Sequence, residues 1–225
     1  FDVIIGDEAH QFKSKSLVSI MTKLYDTKYR YGFTGTLDGT QTHKWVLEGL
    51  FGPSYKIVNT KELQEKGYLA TLNIKVLLLK HEPTTFDTYE DEVQYLITHE
   101  KRNKFIRNLA WDLKGNTLIL YSRVATHGEV LYDIINNDER KIFFVHGGVD
   151  VEERESVRQI TEKENDAIII ASFGTFSTGI NIKNLHNVIF ASPSKSRIRT
   201  LQSIGRVLRK SKDKLNATLY DIADD

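Results

Sequence analysis

The sequence predicts an α/β protein with parallel sheets flanked by helices, and three observations support this prediction. Short β-prone apolar runs alternate with segments of helical apolar spacing, most regularly from residue 117 onwards. Such alternation is typical of parallel, doubly wound sheets. The chain has 225 residues, of which 40% are hydrophobic and 27% charged, as in globular proteins that form a substantial core.

The predicted elements follow from these patterns in chain order. An apolar, β-branched run just before Asp7 predicts a buried parallel strand. A long amphipathic helical pattern over residues 89–113 is broken near His99. The other predicted strands lie at residues 29–33, 72–79, 117–121, 141–145, 167–171, 187–191 and 217–222. The other predicted helices lie at residues 16–25, 42–50, 61–66, 125–136, 151–164 and 200–210.

Charge and cysteine content exclude several classes of protein. The net charge is only +1, so a nucleic-acid site must be a local patch. The absence of cysteine excludes disulfides and thiolate metal sites, and it suits the cytoplasm, where we expect the protein. We find no signal peptide and no apolar run of membrane-spanning length, so no membrane partner is expected. Because the sequence opens in a strand without Met, we expect an excerpt from a longer protein.

Two adjacent carboxylates, Asp7 and Glu8, follow the first predicted strand. Ligands of open α/β sheets bind beyond the carboxyl ends of the strands, which would put this pair beside a nucleotide. One carboxylate can hold Mg²⁺ through its water shell while the other orients or deprotonates a water. His10, at the start of the next segment, could sense the phosphate or the partner domain. The alternative is an ordinary strand that ends in a solvated acidic turn.

Three further strand ends carry polar residues. Thr34-Gly35-Thr36 offers two hydroxyls that can relay hydrogen bonds from the carboxylate pair to a neighbouring domain. Tyr121-Ser122-Arg123 and His146-Gly147-Gly148 offer hydroxyls, small residues and backbone N–H groups of the kind that bind phosphates. Taken alone, a plain turn accounts for each of them.

The segment from Ser172 to Asn181 is more specific. A buried strand opens there into a predicted loop rich in Ser, Thr and Gly. Its hydroxyls and backbone amides, around Ser177 and Thr178, can hold a nucleic-acid phosphate on one side. Gly179 and Asn181 can contact a nucleotide ribose on the other.

The last predicted helix carries the sharpest pattern. Gln202, Arg206 and Arg209 are spaced i, i+4 and i+7, which predicts one polar stripe, with Leu201, Ile204 and Leu208 on the opposite, buried side. Planar, permanently charged arginines suit a developing phosphoryl charge. A solvated basic face is the alternative. Against it stands Gly205, because a solvent-exposed face does not need a mid-helix glycine, which costs about 1 kcal/mol against Ala. A residue this small would let another backbone or a ligand approach closely.

The order of these segments resembles motifs II to VI of superfamily-2 helicases. The matching segments are Asp7-Glu8-Ala9-His10, Thr34-Gly35-Thr36, Tyr121-Ser122-Arg123, residues 177–181 and Gln202-x-x-Gly205-Arg206-x-x-Arg209. Residues 62–70 and the last motif are similar to the branch with the XPB-type and type III restriction helicase subunits. The resemblance implies RecA-like domains of the P-loop NTPase type. Residues 1–70 would be the C-terminal half of the first, ATP-binding domain, and residues 71–225 the second.

The resemblance also implies roles for individual residues. Asp7 would coordinate Mg²⁺, mainly through water, and Glu8 would activate the attacking water. His10, Thr34 and Thr36 would couple hydrolysis to the second domain. The remaining implied groups are the arginine fingers Arg206 and Arg209 with Gln202 beside them, the nucleotide contacts Gly179 and Asn181, and the nucleic-acid contacts Ser122, Arg123, His146, Gly147, Ser177 and Thr178.

The implied function is an ATP- and Mg²⁺-dependent DNA helicase of recombination, repair or replication. We expect a monomeric motor that acts on branched or forked DNA or on RNA–DNA hybrids, together with recombination or replication proteins. The Gly-Lys-Thr phosphate loop of the family is absent, so the chain alone should not hydrolyse ATP. Leu37 replaces a common Pro and Asn181 a common Asp. The alternatives are a restriction-type translocase that does not separate strands, a catalytically idle binding module, and a metal hydrolase using Asp7, Glu8 and His10.

Overall fold

The computed structural model describes residues 1–37, 39–82, 84–137, 139–179, 182–211 and 214–225, without the side chains of residues 177–179, 197 and 199. The chain divides into two compact units, Phe1–Asn59 and Thr60–Asp225. Residues 60–70 therefore group with the second unit. The assignment of residues 1–70 and 71–225 to two RecA-like domains stays a prediction.

The first unit is built on a pair of parallel strands. Its elements are β1 (Val3–Gly6), a 3-10 turn (Ala9–Gln11), α1 (Lys15–Lys23), β2 (Tyr29–Gly32) and α2 (Gln41–Phe51). Rings of Phe12 and Phe51 cover one face of the pair so closely that a Cβ on Gly6 would lie 2.9 Å from Phe51. On β1, Val3 and Ile5 remain 48% and 69% exposed. The prediction of a buried first strand is therefore wrong for the described residues, because only one face is covered.

The second unit is built on one parallel sheet. Its strands are β3 (Thr71–Leu79), β4 (Thr117–Tyr121), β5 (Ile142–Val145), β6 (Ile168–Ser172), β7 (Asn187–Phe190) and β8 (Asn216–Asp224). They pair in the order β3-β8-β7-β4-β6-β5, and every neighbouring pair is parallel. This confirms the predicted α/β fold. Because the strands run in one direction, their carboxyl ends share one edge, where Ser122 and His146 lie.

Helices cover both faces of this sheet. The helices of this unit are α3 (Thr60–Glu65), α4 (Tyr89–Thr98), α5 (Glu100–Asp112), α6 (Glu129–Ile135), α7 (Val151–Lys163), α8 (Phe173–Gly179) and α9 (Arg197–Val207). Helices α5 to α9 are the ones that pack on the sheet. The predicted break at His99 is confirmed, and the His99 side chain caps α5 by accepting from the Arg102 backbone N at 3.2 Å. No helix of the described residues is long and apolar enough to cross a bilayer.

The hydrophobic core lies on both sides of the central strands β4, β6 and β7, whose side chains are almost completely buried. Helices α7, α8 and α9 supply buried side chains to one face, and α5 and α6 supply them to the other. Burial on both faces explains why these strands read as continuous apolar runs rather than as alternating patterns.

The segment predicted as a Ser, Thr and Gly loop after β6 begins instead as helix α8. Ser172 starts the helix, because its Oγ accepts from the Thr175 backbone N at 3.2 Å. Phe173 and Phe176 are spaced i, i+3 and are both buried in the core. The loop prediction is therefore wrong for residues 173–179, because two buried rings and a cap outweigh the turn-forming composition.

Helix α9 ends at Val207, three residues earlier than predicted. Beyond it, the carbonyl of Leu208 accepts from the Ala70 backbone N at 2.8 Å, and Arg209 forms an antiparallel bridge with Leu69. This pairing requires extended backbone, so Arg209 lies outside the helix. The predicted polar stripe of α9 therefore does not extend to Arg209 at i+7. Leu201 was predicted to be buried, yet it is 38% exposed.

A π-helical turn, Val124–Gly128, replaces the start of the helix predicted at residues 125–136. It packs so tightly beneath β4 that a Cβ on Gly128 would lie 2.5 Å from Cζ of Tyr121. Single π turns of this kind are frequent at functional sites.

We expect Gly128→Ala to lower the free energy of unfolding by about 1–3 kcal/mol, because the buried Tyr121 ring must move. Chemical denaturation measures the change. Gly49→Ala in α2 is the control, since a Cβ there meets no described atom within 4 Å and should be neutral or stabilising. Equal changes in unfolding free energy for Gly128→Ala and Gly49→Ala would show that packing against Tyr121 does not require a glycine at residue 128.

Candidate functional site

The carboxylate pair lies in a distorted backbone at the end of β1. Glu8 has φ 49° and ψ 48°, the left-handed conformation that non-glycine residues rarely adopt. Its backbone N donates to Asp7 Oδ1 at 2.8 Å. Asp7 is exposed and Glu8 is partly exposed, so both carboxylates can reach a ligand. Such strained residues cluster at functional sites.

His10 joins this pair to the threonine loop. Its Nδ1 lies 3.0 Å from Thr34 Oγ1 and 3.2 Å from Glu8 Oε2, and the residue is 6% exposed. Thr34 Oγ1 donates to the Thr36 carbonyl at 2.8 Å, so it accepts from His10, and Nδ1 of His10 carries a proton. The structure therefore brings together Glu8, His10, Thr34 and Thr36.

The carboxylates fit a bound Mg²⁺, which is usually held by one or two carboxylates, water and phosphate oxygens. Within the described residues no group of three or more His, Asp or Glu side chains could hold a metal ion by itself.

At the end of β4, Ser122 is exposed and Arg123 is partly buried. The Ser122 backbone N donates to Ser192 Oγ at 3.1 Å. The guanidinium of Arg123 donates to the Glu90 carboxylate and to the Gln94 side-chain carbonyl, both on α4. A nucleic-acid phosphate would therefore compete with a carboxylate for Arg123.

At the end of β5, His146 Nδ1 accepts from the Gly148 backbone N at 3.1 Å. Gly147 is exposed, and the space where its Cβ would stand is open to 4 Å. Backbone groups of this turn are therefore accessible. Asn181 lies outside the described residues, as do the side chains of Ser177 and Thr178. Gly179 is the last residue of α8.

On α9, Gln202 and Arg206 are partly exposed and share one face at i, i+4. Ser203 and Val207 occupy the buried side. A Cβ on Gly205 would meet no described atom within 4 Å, so the predicted close approach of another backbone is not found in the described residues.

Sequence reasoning missed two buried cations, Arg102 near the carboxyl edge of the sheet and Lys214 near its amino edge. Arg102 is 1% exposed, and its guanidinium donates to Asp224 at 2.9 Å and to the Ala191 carbonyl at 2.6 Å. Lys214 is fully buried, and its Nζ donates to the carbonyls of Lys183 and Val207, the last residue of α9. Both stand in charged stretches that resemble solvated faces, so no signal in the sequence distinguishes them.

The sequences of known proteins give a consistent comparison. Residues 100–211 match the helicase conserved C-terminal domain. All of the chain is 36% identical to the ATP-dependent DNA helicase uvsW of Enterobacteria phage T4, of which it covers 46%. The chain is 26% identical to the DNA 3'-5' translocase XPB2 of Sulfurisphaera tokodaii, with 99% of the chain and 58% of that protein covered.

Solved structures agree with these relationships. The crystal structure of T4 UvsW matches all of the chain with a TM-score of 0.59 and 34% identity, over 45% of that chain. The Type ISP restriction-modification enzyme LlaBIII bound to DNA matches with a TM-score of 0.64 and 16% identity, over 100% of this chain and 18% of that one, which shows the fold alone. The chain spans about half the length of the curated relatives it matches.

Burial of the Lys214 ammonium should make the stability of the protein depend on pH. Burial lowers its pKa from 10.5 to about 8, although Glu162 opposes this shift. Between these values the unfolded chain binds more protons than the folded one, so stability rises with pH. Relative to Lys214→Met, the wild type should gain on the order of 3 kcal/mol of unfolding free energy from about pH 8 to about pH 10.5. Denaturant titration measures this difference. If the difference in unfolding free energy between the wild type and Lys214→Met does not change with pH, the folded state does not disfavour the charged form of Lys214.

Proposed function

The chain belongs to the superfamily-2 helicases, and from this membership we propose that it is part of an ATP-driven motor that remodels branched or forked DNA in recombination and repair. The observation that carries the proposal is the 36% identity over the whole chain to a protein named as an ATP-dependent DNA helicase. The five motifs stand in the family's order along that same stretch.

Hydrolysis is proposed to depend on the carboxylate pair. Asp7 would hold Mg²⁺ through water, and Glu8 would accept a proton from the water that attacks the terminal phosphate. Bound Mg²⁺ would neutralise charge on the phosphate oxygens. His10 Nδ1 lies within hydrogen-bonding distance of both Thr34 and Glu8, which supports a coupling role for His10, Thr34 and Thr36.

The arginines are proposed to stabilise the charge that develops on the same triphosphate. Arg206 is held by α9 with Gln202 beside it, whereas Arg209 is held by its bridge to Leu69. Because Arg209 is paired with this segment through Leu69, a movement of residues 60–70 can shift Arg209 without shifting Arg206. Gly179 and Asn181 are proposed to contact the nucleotide.

Nucleic acid is proposed to bind along the strand ends of the second unit. Hydroxyls, backbone amides and one guanidinium suit phosphate oxygens rather than base edges, so binding should tolerate sequence and depend strongly on salt. The proposed contacts are Ser122, Arg123, His146, Gly147, Ser177 and Thr178. Branch migration and 3'-to-5' unwinding are the finer activities that we propose for the whole protein, working as a monomer.

A second candidate is translocation along duplex DNA without strand separation. The 26% identity to a protein named as a DNA 3'-5' translocase favours it. Strand-displacement and triplex-displacement assays on the full-length protein separate the two. A helicase displaces the paired strand, whereas a translocase displaces only the third strand of a triplex.

We expect Glu8→Gln in the full-length protein to lower kcat for DNA-stimulated ATP hydrolysis at least about 100-fold, because the amide cannot accept the proton. The affinity for ATP should change little, since Gln keeps the size and polarity of Glu. The control is Glu62→Gln, which removes an exposed carboxylate paired with Lys66 and should keep full activity. Retained turnover in Glu8→Gln would exclude Glu8 as the base.

We expect Arg123→Ala to weaken binding of the full-length protein to single-stranded DNA of any sequence, and to reduce the slope of log K against log salt by about 1. Glu90→Gln should tighten binding, since it frees Arg123 from a competing carboxylate. Arg158→Ala is the control, because Arg158 also pairs with a carboxylate, that of Glu155 on α7. Equal losses of DNA affinity in Arg123→Ala and Arg158→Ala would show that Arg123 makes no specific contact with DNA.

A further inference from the structure

A chain of buried hydrogen bonds runs from α5 to the backbone of Ser122. Asn103 Nδ2 donates to the Ile97 carbonyl at 2.8 Å, and Asn103 Oδ1 lies 3.2 Å from His127 Nε2. His127 Nδ1 lies 2.8 Å from Ser192 Oγ, which is 3.1 Å from the Ser122 backbone N. Asn103, His127 and Ser192 are at most 3% exposed. The four contacts form one continuous path.

The direction of every bond in this path follows from its ends. Because the Asn103 amide nitrogen donates elsewhere, its oxygen accepts from His127, so Nε2 carries a hydrogen. Burial, assisted by the charge of Arg102, lowers the pKa of His127 to about 3, so the imidazole is neutral and Nδ1 is an acceptor. Ser192 therefore donates to Nδ1 and accepts from the Ser122 N–H.

This path joins elements that meet at the edge proposed for nucleic acid. Ser122 follows β4, and Ser192 lies two residues beyond the neighbouring strand β7. His127 is held between them by the π turn, which Gly128 allows to pack against Tyr121. The backbone that presents Ser122 is thus fixed from behind by groups that no ligand can reach.

We propose that His127 is a positioning residue for nucleic-acid binding, which as a neutral Nε2–H imidazole holds Ser192 so that the turn at Ser122 and Arg123 faces the phosphate backbone. This inference rests on the proposed function. His127 touches neither nucleic acid nor nucleotide in this role, and it acts through Ser192 alone. In the other tautomer, His127 Nδ1 would donate a hydrogen to Ser192 instead of accepting one, and the donors and acceptors along the path would exchange roles.

The test measures the Kd of the full-length protein for fluorescent single-stranded DNA by anisotropy. Ser192→Ala cuts the path beside Ser122, and we expect Kd to rise about three- to tenfold. His127→Phe should raise it equally, and the double variant should be no worse, because both changes cut one path. His127→Gln retains a donor for Asn103 and an acceptor for Ser192, so it should restore most of the affinity.

Thr161→Val is the matched control, because it removes an equally buried hydroxyl that donates to the Val157 carbonyl at 2.7 Å on α7. It should lower Tm as Ser192→Ala does while leaving Kd unchanged. Nitrogen-15 NMR of labelled histidine should show His127 as the Nε2–H tautomer from about pH 5 to about pH 8.

Each outcome decides one question. If the wild type does not bind DNA, the proposed function is wrong. If the wild type binds DNA and neither Ser192→Ala nor His127→Phe changes Kd more than Thr161→Val does, the proposed function stands and this inference is wrong. An Nδ1–H tautomer, or protonation of His127 within that pH range, also overturns it.

Discussion

Parallel pairing of β4 with β6 and β7 is the constraint on which the second unit depends. Leu118 lies opposite Ile169 on one side and Val188 on the other, and all three are buried. A slip of one residue would exchange the side chains that pack against the two faces of the sheet and shift every strand end. The core thus fixes where the polar edge begins, and the residues that follow β4, including Ser122, inherit their positions from it.

Buried polar groups support both edges of the sheet. At the carboxyl edge, Arg102 bonds Asp224 at the end of β8 and a carbonyl just beyond β7. At the amino edge, Lys214 bonds the last carbonyl of α9. Burying a cation is costly unless it is paired or hydrogen-bonded, and both cations meet this condition through a carboxylate or backbone carbonyls. His127 joins the carboxyl edge as a neutral imidazole that is hydrogen-bonded to Ser192 and Asn103.

Local signals explain which features the sequence predicts. It predicts β4 at its observed bounds, because an apolar run between Asn116 and Ser122 leaves no alternative. The links among Glu8, His10 and Thr34 follow from strand-end polarity. Helix α8 is missed because its composition favours a turn, and the end of α9 is missed because pairing with Leu69 decides it. The bond between His127 and Ser192 spans 65 residues, and no local pattern marks either one.

The pairing of residues 69–70 with residues 208–209 has a mechanical consequence. Gln64 donates to the Ala70 carbonyl at 3.0 Å, and the Ala70 N–H bonds Leu208 at 2.8 Å. The segment ahead of β3 is thus tied to the main chain of Leu208 and Arg209 by one side-chain bond and by main-chain pairing. The two segments must therefore move together, or these hydrogen bonds must break.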